Sequence, residues 1–265
     1  MSKLTNSILG FSIGDAIGVP VEFKARDTYT ITDFTGFGIH NQPIGSWSDD
    51  TSMILATMDS IISIGTVDAV HIMKNFDKWF RHSRFTPCGI VFDIGNSTRQ
   101  ALINYENDIP ITNCGGTDIS NNGNGALMRI LPLAHMIYYG LIQRDTLLNV
   151  AHLTHNHPIS DFACILYSQI VCNLMSNMPK NEAIDKAIDE LWSDDAIDVP
   201  NQYTWIPQVK NFDRDGIKSS GYVVDTLEAV LWCIFKTDNF HDAVITAANL
   251  GYDTDTIAAL VGGLA

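Results

Sequence analysis

The sequence predicts an all-α fold. Two observations carry that reading. Apolar residues recur at helical spacing through most of the 265 residues, in stretches bounded by capping or helix-breaking residues. The short runs rich in β-formers, Val19–Phe23 and Tyr203–Ile206, do not make a sheet, and Pro20 would confine the first to an edge. No G-x-G-x-x-G follows a strand and no Walker A lysine is present, which removes the dinucleotide-binding and P-loop readings.

Taken in order, residues 5–17 place Ile8, Leu9, Ile13, Ala16 and Ile17 on helical spacing, while Gly10, Gly14 and Gly18 allow close backbone approach. Residues 51–64 form a strongly apolar helix with Gly65 as its C-cap. Residues 68–81 follow, carrying Phe76, Trp79 and Phe80. The stretches 82–98 and 107–126 are dense in Gly, Asn, Pro, Ser and Thr and read as loops, with a short helix over 96–105 between them. Loops of this length are either solvated or functional. Helical signal returns at 126–139, 145–154, 158–176 and 180–192. Residues 194–218 are irregular. Residues 221–236 are strongly apolar, Asn239 caps a helix over 240–250 with Asp242 in its first turn, and a last helix spans 255–264.

The apolar share of 46% is enough for one large core, and one domain is expected. The formal charge is −14, which argues against non-specific binding to nucleic acid or anionic membranes. No uncharged apolar run reaches the ~18 residues of a membrane span. The five cysteines are widely spaced, without CxxC, which argues against a disulfide framework or a zinc knuckle. A soluble cytoplasmic protein in a reducing compartment is expected. A monomer is expected too, because no long exposed apolar helix stands out.

Two distant acidic clusters dominate the chemistry. One is Ser48-Asp49-Asp50-Thr51, and the other is Asp253-Thr254-Asp255-Thr256. Each opens an apolar helix, where carboxylates suit free N–H groups and the helix dipole. Helix capping alone accounts for either cluster. Two such clusters are more than capping needs, and hard divalent cations shared between them resolve the repulsion. The donors are all oxygens, which suits Mg²⁺ or Mn²⁺ rather than structural zinc. Thr51 is expected to point toward the core. The histidines of the HLTHNHP run, His152, His155 and His157, read better as caps and packing groups than as zinc ligands. A contact to phosphate or the orientation of a loop is the functional option for them. Asp93 is either a buried cap or a ligand-facing carboxylate. Arg129, flanked by apolar residues, is expected to have a carboxylate partner or to brace the metal-binding carboxylates.

Taken together, these stretches resemble the ADP-ribosylglycohydrolase family. The resemblance runs through GFSIGDAIGVPVEF (10–23), GSWSDDTSM (45–53), FDIGNSTRQAL (92–102), NGNGALMRILPL (122–133), residues 152–158, GYVVDTLEAVLW (221–232) and NLGYDTDTIAALVGGLA (249–265). It implies one compact, orthogonal helical domain over residues 1–265, without the helical tail that usually follows. It also implies two Mg²⁺ or Mn²⁺ ions held by Ser48, Asp49, Asp50, Asp253, Asp255 and Thr256. Glu22, Asp49 and Asp255 would be catalytic. Asp93, Gly95, Gly115, Gly116, Asn122, Gly123, Asn124, Gly125, His155 and Tyr252 would face the substrate, the glycine-rich pieces through backbone N–H groups. Ser48 stands where most members have Thr, and Tyr252 replaces the second Gly of the usual GGDTDT signature. The implied activity is hydrolysis of the bond between ADP-ribose and an acceptor such as a protein side chain. The competing expectations are a non-catalytic ADP-ribose or nucleotide-binding protein and a crystallin-like structural protein.

Overall fold

Helix boundaries follow caps already visible in the sequence. The computed structural model describes residues 2–265, and its regular structure is eleven α-helices joined by loops and short 3-10 turns. They are α1 (Lys3–Gly18), α2 (Asp49–Ile64), α3 (Ala69–His82), α4 (Asn96–Glu106), α5 (Leu131–Tyr138) and α6 (Arg144–Ala151). There follow α7 (Pro158–Met175), α8 (Lys180–Trp192), α9 (Val223–Lys236), α10 (Phe240–Ala248) and α11 (Thr254–Leu264). The Ser48 side chain accepts from Asp50 N and starts α2, and Gly65 ends it in the left-handed region. Asp68 and Asn239 cap α3 and α10 in the same manner.

Among the described residues the only β-pairing is isolated bridges. The two candidate strands are 3-10 turns instead: Val19–Val21 with a proline near its start, and the turns around Tyr203 and Ile206. Several helix ends also differ from expectation: α2 starts at Asp49, α6 stops at Ala151 and α9 starts at Val223, and two further ends have a visible cause. Residues 126–130 are not α-helical, and α5 opens only at Leu131. Pro132 lacks the N–H that a continuous helix would need there, so it is tolerated only in the first turn. Helix α10 stops at Ala248 because Asn249 turns its amide to the backbone of Ile31, accepting from its N at 3.0 Å and donating to its O at 2.9 Å.

The most extensive helix pair is α1 with α11, the first and last helices of the chain. Small residues allow it. A Cβ on Gly14 would lie 2.0 Å from Ala258 O, and one on Gly18 would lie 2.3 Å from the Asp255 Cα. Every residue of α11 is buried. Helix α7 packs against α5, α6, α8 and α9, and its Tyr167 hydroxyl donates to Leu260 O at 2.9 Å, tying it to α11. The stretch Lys3–Val21, α1 with the 3-10 turn after it, and helix α7 have the length and hydropathy of membrane spans, but each buries more than half of its residues inside the protein. All five cysteines are unpaired.

Arg129 is fully buried without a carboxylate partner, contrary to expectation. Its guanidinium donates to Gly125 O, to Thr154 Oγ1 at 2.8 Å, and to Val150 O and Ala151 O at 3.0 and 3.2 Å. The last two are C-terminal carbonyls of α6, which carry the negative end of the helix dipole and replace a counter-ion. The Phe76 ring lies 5.1 Å from the guanidinium carbon.

Candidate active site

The starts of α2 and α11 face one another. Thr256 Oγ1 lies 3.4 Å from Asp50 Oδ1, and carboxylate oxygens of Asp15, Asp50 and Asp255 all fall within 4.8 Å of one another. A second group with the same spacing joins Glu22, Asp253 and Asp255. Of these side chains Glu22, Asp50, Asp253 and Thr256 line a cleft of about 600 Å³, while Asp15 and Asp255 are fully buried and do not border it. Neither lysine nor arginine lines it.

Asp15 is the residue that sequence reasoning missed. It is fully buried on α1, where its Oδ1 accepts from Ser48 N at 2.9 Å. Its Oδ2 accepts from Thr51 N at 3.0 Å and from the Thr51 hydroxyl at 2.7 Å. Asp15 therefore fixes the turn that presents Asp49 and Asp50. Thr51 does point inward as expected, and its target is this carboxylate. The available signal was a charge in the glycine-flanked apolar stretch Gly14-Asp15-Ala16, which a buried helix tolerates only with partners. On the other side, Asn124 donates to Asp253 Oδ2 at 2.5 Å and to Thr226 Oγ1 at 3.0 Å, holding Asp253 toward the cleft.

His40 was also missed, because nothing in its loop marks it. Its Nε2 pairs with Glu22 Oε2, and its ring lies 5.0 Å from that of Phe92 and 5.9 Å from that of Phe23. Burial lowers its pKa, so it remains neutral beside Glu22.

The site's electrostatics are one-sided. Burial, then the charges of Asp93 and Asp253, pushes the Glu22 carboxyl up to about 11. Burial foremost carries Asp49, Asp50 and Asp255 well above the usual carboxylate range, helped by Asp93, Asp15 and Glu22 respectively. Asp93 rises to about 6, again mainly through burial, and Asp15 and Asp253 rise for the same reason. Asp50 Oδ2 and both oxygens of Asp255 are buried without a hydrogen-bond donor. Buried acceptors of this kind are costly unless a proton or a cation meets them. The orphaned oxygens and the all-oxygen donor set fit hard divalent cations, which Asp50, Asp253, Asp255 and Thr256 would hold; Asp49 also lines the cleft, whereas the Ser48 hydroxyl caps α2 and Ser48 does not border it.

The predicted substrate-facing residues divide into two groups. Asp93, Gly95, Gly123, Asn124, Gly125, His155 and Tyr252 line the carboxylate cleft. His155 is buried and pushed down to about 3, hence neutral, and its Nδ1 meets the Thr154 hydroxyl at 2.7 Å. Gly115 and Gly116 do not line this cleft. They border a separate polar pocket of about 510 Å³ that adjoins it through Ser97. A Cβ on Gly115 would meet His152 O at 2.1 Å, and Gly116 N donates to Thr154 O, so these glycines serve the packing of the 152–155 segment. Asn122 is also outside the cleft. It is buried, donates to Ile119 O, and accepts from Val223 N to fix the start of α9.

Fold and site together define an all-α protein whose first and last helices close on an acidic, all-oxygen cleft. The chain belongs to the ADP-ribosylglycohydrolase family, whose pattern matches residues 1–265. It is 35% identical over 272 residues to the "ADP-ribosylarginine hydrolase Tri1" of Pseudomonas putida (strain GB-1), covering 100% of this chain and 70% of that protein. It is 30% identical over 273 residues to the "ADP-ribosyl-[dinitrogen reductase] glycohydrolase" of Rhodospirillum rubrum, covering 99% of this chain and 84% of that one. Among solved structures, one described as an "ADP-ribosylglycohydrolase-related protein complex" superimposes with a TM-score of 0.81 at 27% identity, across 100% of this chain and 86% of that one. The family is one of enzymes, and this chain is a glycohydrolase.

Proposed function

We propose that the protein hydrolyses the N-glycosidic bond between ADP-ribose and an arginine side chain of a protein, using two divalent cations, Mg²⁺ or Mn²⁺. The observation that carries this reading is the set of donorless buried oxygens on Asp50 and Asp255. A structural protein or a passive nucleotide carrier has no use for them. The choice of arginine rests on the named activity of the relatives in Pseudomonas putida and Serratia proteamaculans, each 35% identical to this chain.

In the reaction, the bond from the anomeric carbon to the guanidino nitrogen breaks. Water oxygen bonds to that carbon, one water proton goes to the leaving nitrogen, and the products are ADP-ribose and the protein with its arginine side chain unmodified. Bound cations would supply Lewis-acid charge to the ribose hydroxyl oxygens. The remaining work falls to side chains. Glu22 Oε2 is engaged by His40, which leaves Oε1 to take or give a proton at the cleft floor. Asp49 and Asp93 set a negative field that favours an oxocarbenium-like transition state. Asp15 keeps Ser48 and Thr51 in register, and Asn124 keeps Asp253 aimed inward. The backbone of Gly123 and Gly125 leaves room for the nucleotide part of the ligand.

The test is mass spectrometry of products from defined arginine-, serine- and cysteine-ADP-ribosylated peptides, with and without EDTA. Release of ADP-ribose from the arginine-linked peptide, abolished by EDTA and restored by Mn²⁺, is expected. Full turnover in EDTA would remove the cations from the account.

A further inference from the structure

We infer that Phe23 and Tyr252 form an aromatic clamp at the mouth of the cleft that grips the planar guanidinium of the acceptor. The inference rests on the reading of the protein as an ADP-ribosylarginine hydrolase and identifies the residues that select the acceptor.

Both rings line the carboxylate cleft, and both are exposed, at 58% and 51%. Exposed aromatic rings at a cleft rim are a recognition signal rather than a core remnant. Both residues adopt the left-handed backbone region, with φ of 60° for Phe23 and 63° for Tyr252. Bulky residues rarely hold that conformation, and its presence twice at one cleft marks strain retained for a purpose. The two backbones are stitched together: Phe23 N donates to Tyr252 O at 2.7 Å, and Tyr252 N donates to Lys24 O at 2.8 Å. Gly251 seats this pair tightly, because a Cβ there would lie 2.6 Å from Arg26 N. The Phe23 ring is further braced by His40, itself against Phe92. The two backbones and the Phe23 ring are therefore set in place before any ligand arrives.

Position and charge identify the occupant. Each ring belongs to the residue next to a floor carboxylate, Phe23 beside Glu22 and Tyr252 beside Asp253. A group between the rings thus lies just outside the bond to be cleaved. The adjoining side chains are acidic, with no lysine or arginine in the cleft lining, so a cation is favoured between the rings. A planar cation stacks on aromatic faces. The guanidinium of an acceptor arginine meets all of these conditions, whereas a serine oxygen presents neither plane nor charge.

The experiment uses the full chain with Mn²⁺ and compares wild type with Tyr252→Leu, Tyr252→Gly, Tyr252→Phe and Phe23→Leu. Glycine suits the left-handed backbone, so Tyr252→Gly removes the ring without disturbing the fold. For an arginine-linked peptide, the Leu and Gly variants are expected to raise KM about tenfold, the loss of one cation–aromatic contact. Tyr252→Phe keeps the wild-type KM, and competitive inhibition by free ADP-ribose is equal in all four variants. Inhibition by ADP-ribose that weakens in step with the rise in KM would assign the rings to the nucleotide and overturn the inference. An unchanged KM in the three ring-deleting variants would do the same. Failure of the parent reading looks different: the wild-type protein itself would release nothing from the arginine-linked peptide.

Discussion

Asp50 and Asp255 stand 205 positions apart in the chain, yet their carboxylate oxygens come within 4.8 Å of each other, and Asp50 Oδ2 and both Asp255 oxygens lack a donor. Proximity of this kind is repulsive in the bare protein and attractive once positive charge is supplied. Removing one partner should therefore separate stability from function. Asp255→Asn is expected to abolish Mn²⁺ binding and turnover while leaving the cation-free protein no less stable, because it removes a buried acid that is costly to ionise there. Calorimetric titration and a thermal melt in EDTA measure the two effects. Normal turnover in this variant would refute the shared-cation site.

The raised carboxyl pKa values fix the sign of a pH effect. Each group whose folded pKa lies above its unfolded value contributes stability that is complete below the unfolded pKa and lost as pH rises through the folded one. For Asp93 that window runs from 3.8 to about 6, and for Glu22 from 4.5 to about 11. Asp49, Asp50 and Asp255 act in the same direction. The cation-free protein should thus lose stability from these groups as pH rises from 5 to 8. Divalent cations compete with those protons, so the gain in Tm on adding Mn²⁺ should be larger at pH 8 than at pH 5. A gain that shrank with rising pH would contradict this.

Asp15 acts through the turn it organises rather than by facing the cleft. Asp15→Asn retains the shape but replaces one acceptor oxygen with a donor, opposing the Thr51 or the Ser48 N–H. Metal affinity should fall about 10–100-fold, the usual cost of disturbing an outer partner of a metal site. Mn²⁺ titration of the purified variant tests it, with the circular dichroism spectrum confirming intact helices.

Glu22→Gln should lower turnover by about 10²–10⁴-fold, the range for loss of a general acid or base. Its Mn²⁺ affinity should fall far less than that of Asp255→Asn, because His40 already engages one of the Glu22 oxygens. Single-turnover assays beside calorimetry separate the two effects.

Gly18→Ala places a methyl group 2.3 Å from the Asp255 Cα, against backbone that cannot rotate away. Overpacking at such a contact costs about 1–3 kcal/mol. The displaced residue is itself a candidate ligand, so cation affinity should drop further than that of an equally destabilised variant elsewhere in the core. Ile170→Val provides that comparison, since Ile170 is buried in α7 away from the cleft.

Much of this arrangement was legible in the chain. Asn239 announced a helix start because capping is local chemistry, and its side chain makes the predicted bond, whereas the helices capped by Ser48 and Asp68 were legible mainly from their apolar spacing. The clusters at 48–51 and 253–256 were legible because four carboxylates in two short runs have few other uses. The parts that escaped depend on distant contacts. Asp15 reads as one more polar residue until Ser48 and Thr51 are seen to converge on it. Arg129 seemed to require an acidic partner, because nothing local shows that the end of α6 can neutralise it. Gly115 and Gly116 looked like a phosphate cradle, since a glycine needed for packing against His152 and one needed for ligand approach are indistinguishable in a string of letters.

The embrace of α1 and α11 has a temporal corollary. During translation the amino-terminal half of the ligand set emerges early and must wait, exposed or loosely collapsed, until Asp255 and Thr256 leave the ribosome. No nascent polypeptide halted before that point can assemble the cleft floor, so a prematurely terminated product is inert toward modified proteins rather than partly active.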